Sequence, residues 1–172
     1  MKRTMAALLR SFDKSLLVGI LCAAPVPAAL AGPGGTDRPQ LAACDTVIPP
    51  PPSSFPARVE ISGTCRSRHL GSTILTIVQV VDAAGAPSNG VLPITISSQI
   101  TYAAANGDLL TSTFDGEGSI DFTTGNIAFQ GTETYAGGTG RFSDASGTSF
   151  LEGHASAVSL NGFYVTLGTL SY

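Results

Sequence analysis

Gly137-Gly138-Thr139-Gly140-Arg141-Phe142-Ser143-Asp144-Ala145-Ser146-Gly147 holds four glycines in eleven residues and lies between two alternating, strand-like segments. Glycine reaches backbone angles closed to other residues and lets neighbouring chain approach closely. So dense a run reads as a sharply bent corner of a β-structure built on Gly137, Gly138 and Gly140, with Arg141 and Phe142 as its large side chains. A phosphate-binding loop would need Lys followed by Ser or Thr and then a helix, and neither follows. The corner therefore speaks about architecture rather than chemistry.

Outward from it, alternation with period two dominates from about residue 55 to the end. Candidate strands fall at 56–63, 72–82, 92–104, 108–115, 118–123, 126–136, 147–159 and 163–172, rich in Val, Ile, Thr, Phe and Tyr. Turn signals stand between them: 84–90, Asn106-Gly107, Asp115-Gly116, Thr124-Gly125-Asn126 and Asn161-Gly162. Asn-Gly is a strong hairpin signal, because both central residues of a type I′ turn need positive φ. No capped amphipathic helix pattern is present. The fold class is therefore all-β. Eight strands with short connections form an antiparallel meander, which leaves costly open edges unless it closes on itself. An eight-stranded closed barrel is expected, with a two-sheet sandwich as the alternative.

The N-terminus reads as a signal peptide over 1–31. Lys2, Arg3, Arg10 and Lys14 precede an apolar run from Ser15 to Ala31 that ends in small residues and contains Pro25 and Pro27. That run is shorter than the ~20 residues of a membrane-spanning helix, so no stable membrane insertion is expected after processing. Its removal leaves five of the nine bases and eleven of the twelve acids, a net charge of −6 with no lysine. So acidic a chain has no footprint for nucleic acid, whose affinity rests on basic contacts to phosphate. Cys44 and Cys65 remain, an even number suited to an oxidising compartment, and a disulfide between them is the direct inference. Closing a loop of about 22 residues stabilises by ~3 kcal/mol in the chain-entropy model. Residues 32–54, with four prolines at 49–52, read as an irregular arm. The barrel domain is then 55–172, and the expected location secreted or periplasmic.

Four short motifs, in order, carry a resemblance over roughly residues 55–172. They are His69-Leu70-Gly71, Ala105-Asn106-Gly107-Asp108, the corner at 137–142, and Gly168-Thr169-Leu170-Ser171-Tyr172. Together they resemble the barrel class of plant dirigent proteins and allene oxide cyclases, and more closely a group of small exported bacterial proteins of that class. Ser143-Asp144 departs from the Ala-Gly common in those relatives, a change that a turn tolerates. The resemblance implies a closed eight-stranded barrel, no cofactor, and a small hydrophobic molecule as partner. No lumen residue of either enzyme family maps onto a position here, so no catalytic residue is carried over.

Candidate chemistry rests on strand faces. Ile127, Phe129, Gly131, Glu133 and Tyr135 share one face of their strand, and Phe150, Glu152 and His154 one face of theirs. If the strands are neighbours, Glu133, Tyr135, Glu152 and His154 can cluster, and a carboxylate beside an imidazole is raw material for acid–base work. Alternation alone does not say which face is inward, and the plainer reading is a solvated face. Asp115, Glu117 and Asp121 flank a turn without calcium-loop spacing, so no metal site is assigned. No nucleophile elbow is present. His69 reads as a structural hydrogen-bonding residue, and Arg141 as a fixer of the corner. Two functions stay open. The preferred one is an exported binding or structural module, with the barrel available to a small hydrophobic ligand. The alternative is a cofactor-free cyclase or isomerase acting in the lumen. Nothing in the pattern fixes an oligomeric state.

Overall fold

A computed structural model describes residues 36–172. Eight antiparallel strands run β1 Arg38–Val47, β2 Ala57–Ser67, β3 Gly71–Ala83, β4 Val91–Ala104, β5 Leu109–Asp121, β6 Asn126–Gly138, β7 Ser146–Ser156 and β8 Asn161–Leu170. Each pairs with the next, and β1 pairs with β8, so the sheet closes into a barrel without a free edge. No α-helix occurs among the described residues. The signal-like segment 1–31 lies outside them.

The interior follows from alternation. On β4, Leu92, Ile94, Ile96, Ser98, Ile100, Tyr102 and Ala104 are all buried, while the residues between them face out. Eight strands enclose a lumen just wide enough for side chains to fill or for one small ligand. Connections alternate between the two ends. One end carries the corner, where the single 3-10 turn Gly140–Phe142 sends the Phe142 ring into the barrel, fully buried and tilted against Tyr172 at 5.0 Å. Gly137 and Gly140 there have φ of 86° and 56°. A Cβ on Gly140 would strike the Asp108 carboxylate. Arg141 points to the outer side of that corner, 3.7 Å from Asp108 and over the face of Phe142.

The other end is crossed by residues 48–56, which join β1 to β2. This strap is tied down where the Ile48 amide donates to the Leu160 carbonyl at 2.9 Å. Cys44 and Cys65 are direct cross-strand partners on β1 and β2, both buried, with sulfurs 2.08 Å apart, a disulfide.

Three expectations need correction. The segment 32–54 is not an irregular arm throughout, because β1 occupies Arg38–Val47 and closes the ring. Its inward face is Gln40, Ala42, Cys44 and Thr46, small or polar, while Leu41 and Val47 face out, so the usual hydrophobic-in signal is reversed. Conversely, 108–115 and 118–123 are one strand. Asp115-Gly116 is no turn: Gly116 pairs with Gly131, and the Phe114 ring lies where a Cβ on either would stand. A strand missed and a strand split offset each other, which kept the count at eight. The hairpin with two positive φ angles is Asn89-Gly90, whereas Asn161-Gly162 begins β8 and the turn before it bends at Leu160.

Candidate functional site

Midway down the lumen, β6 turns Glu133 inward because it shares the face of Ile127, Phe129 and Tyr135. Its carboxyl is completely buried. The Tyr102 and Ser112 hydroxyls each donate to Oε1 at 2.6 Å, and the Tyr135 hydroxyl donates to Oε2 at 3.3 Å. Tyr135 also shares a hydrogen bond of 2.9 Å with Ser149. The Tyr102 and Tyr164 hydroxyls are 3.4 Å apart, and Tyr164 lies 3.9 Å from the Cys65 sulfur. Four strands (β4, β5, β6 and β7) thus place one carboxyl in a cage of hydroxyls, with Tyr164 of β8 as its neighbour.

Burial raises the Glu133 pKa above the ordinary carboxylate range, and the hydrogen bonds from Ser112, Tyr102 and Tyr135 only partly oppose it. Burial likewise pushes the Tyr102, Tyr135 and Tyr164 phenols up, and Glu133, once ionised, adds to the effect. The cage therefore favours protonated forms: an acid that holds its proton to higher pH than a free carboxyl, next to phenols that resist ionisation.

Above this belt, toward the strap, lies an apolar cavity of about 100 Å³. Its walls come from every strand, with Ile61, Ile77, Ile96, Ile100, Phe114 and Leu151 among them, and Pro49–Pro52 with Phe55 roof it. Tyr164 lines it from below, so one residue touches both the cavity and the carboxyl cage.

The four expected site residues separate. Glu133 pairs with Ser149 on β7, so it is Ser149, Leu151 and Ala155 that share its inward face. Glu152 and His154 therefore point outward, opposite Gln130 and Ala128. His154 sits with its ring 5.9 Å from that of Phe163 on the barrel's outer wall. The proposed cluster of all four does not form. Glu133 and Tyr135 meet, and their partners are hydroxyls rather than an imidazole.

The other singled-out residues have local partners. Asp121 accepts from the Thr123 amide and the Thr124 hydroxyl, both at 2.8 Å, and these bonds hold its pKa low. His69 Nε2 lies 2.8 Å from the Pro39 carbonyl. Among the described residues no three His, Cys, Asp or Glu side chains gather as metal ligands would. Sequence reasoning passed over Tyr102, Ser112, Ser98 and Tyr164. The signal for Tyr102 and Ser98 was present, since both fall on the isoleucine face of β4. Comparison with protein-family models, curated proteins and solved structures gives no match to this chain.

Proposed function

We propose that this chain is an exported barrel that holds a small hydrophobic molecule in the strap-side half of its lumen. The observation that carries the reading is the apolar cavity of about 100 Å³ beneath Pro49–Pro52. Drug-sized sites usually enclose ~300 Å³ or more, whereas an apolar cavity of ~150 Å³ accepts benzene. At about 100 Å³ this cavity is smaller than that, so the ligand is at most of single-ring size, with part of it reaching toward the strap. The resemblance to the dirigent and allene oxide cyclase barrels supports the reading. Export is supported by the basic-then-apolar N-terminus and by the Cys44–Cys65 pair, suited to an oxidising compartment.

The test is a titration with methylcyclohexane followed by thermal melting. A ligand that binds the native state alone raises the melting temperature with concentration. Wild type should show that rise, and Ala155→Phe, which fills the cavity, should not. No rise in wild type would end the ligand-holding reading.

One observation favours the second reading, a cofactor-free isomerase or cyclase. Tyr164 joins the cavity to Tyr102 and so to the Glu133 carboxyl, a path for a proton to a largely apolar site. In that case Glu133→Gln would abolish turnover of a bound substrate while leaving its affinity unchanged.

A further inference from the structure

Gln79 on β3 and Ser98 on β4 are direct cross-strand partners, and both line the cavity. Their neighbours along the inward faces are apolar: Ile77 and Val81 flank Gln79, and Ile96 and Ile100 flank Ser98. Neither side chain makes a hydrogen bond to another described residue. Elsewhere in the lumen, polar groups are mostly satisfied, as in Gln40 with Ser67 and in the Glu133 cage. The enclosed hydroxyls of Thr73 and Thr166 also lack partners, but neither lines the cavity, and Thr46, which does, offers a single hydroxyl on β1. Gln79 is half-buried and Ser98 buried, and both face an apolar cavity, so a ligand atom that meets the pair gains hydrogen bonds in apolar surroundings.

We infer that Gln79 and Ser98 form the polar recognition point of the cavity and select a neutral, singly oxygenated hydrocarbon, an alcohol or ketone with a compact apolar body. The amide and the hydroxyl each both donate and accept, so together they meet an oxygen of either kind. No charged side chain lines the cavity, so an ionised ligand group would be buried without a counter-charge, which the desolvation cost forbids. A bare hydrocarbon leaves the pair unmet. The inference rests on the cavity being a ligand site and adds which end of the ligand is read, and by what.

Cyclohexanol and methylcyclohexane have similar shape and differ in the oxygen, so titration of the purified protein with each separates the two claims. Wild type should bind both. In the double variant Gln79→Leu, Ser98→Ala, cyclohexanol should bind roughly tenfold more weakly, the loss of one to two modest hydrogen bonds, while methylcyclohexane binds at least as well as before. In wild type, the Gln79 side-chain amide resonances should also move with cyclohexanol and stay in place with methylcyclohexane, a readout that needs no variant. If the amide resonances respond equally to both ligands, or the double variant keeps full cyclohexanol affinity, the recognition point is wrong while the cavity reading stands. If wild type binds neither ligand, both are overturned.

Discussion

Glu133 sets the terms at the scale of single residues. A carboxyl enclosed in a β-barrel is tolerated because two hydroxyls donate to one oxygen and a third to the other. Burial raises its pKa, so the folded chain keeps the proton to higher pH than the unfolded chain. The stability this contributes is complete below the unfolded value of ~4.3 and is lost as pH rises through the folded pKa. Glu133→Gln mimics the protonated acid and does not titrate. Wild type should therefore lose stability relative to this variant as pH rises, by about 1.4 kcal/mol for each tenfold change in proton affinity. Urea unfolding across pH 4–9 measures this, and a constant gap between the two proteins would contradict a retained proton. At the corner, Gly140→Val places a β-branched residue at φ 56° against the Asp108 carboxylate. It should cost well over ~1 kcal/mol, while Gly85→Ala, in an exposed turn with only Pro93 nearby, should change little. Equal melting temperatures for the two would remove the corner from its structural role.

Among elements, β1 matters most and was hardest to read. Hydrophobic alternation identified β4 because its isoleucines all face inward, and the corner because glycine density has few other uses. The same rule failed where inside and outside both carry large apolar groups. Phe150, Leu167 and Leu41 lie side by side on the outer wall of β7, β8 and β1, all more than half exposed. That outer row made Phe150, and with it Glu152 and His154, look able to form an inward face, although the plainer reading, a solvated one, is what the register shows. On β1 the inward residues are small because the disulfide and the Tyr164 ring share that part of the lumen. So the fold class could be read from pattern, but the site could not, since the pairing Glu133 to Ser149 is a matter of register that no single strand encodes. A prediction separates strand from arm. A chain beginning after Val47 loses β1 and leaves β2 and β8 with unpaired edges, so it should show no cooperative thermal transition by circular dichroism. Melting at the full-length temperature would restore the arm.

As a whole molecule, the barrel divides along its axis into unlike halves. The corner end is plugged by Phe142 and rich in paired hydroxyls, and the strap end is apolar, with a cavity. The two halves share one sheet, so a ligand in the upper half is held by the same strands that fix the carboxyl below. What closes this ring is a meeting of extremes. Arg38 Nη1 donates to the Tyr172 hydroxyl at 3.0 Å across 134 residues of chain, and β1 lies along β8 for its whole length. On a ribosome, β1 emerges before the other strands of the barrel and its partner β8 after them, so the hoop stays open until the last strand is made. Pairing so distant in sequence is slow, because the loop entropy is lost before contacts repay it. The Cys44–Cys65 bond needs only the next strand along, so in an oxidising compartment it can moor β1 to β2 before β8 pairs. The crosslink would then act as a mooring for a barrel not yet closed, keeping an otherwise bare strand off its neighbours until β8 pairs.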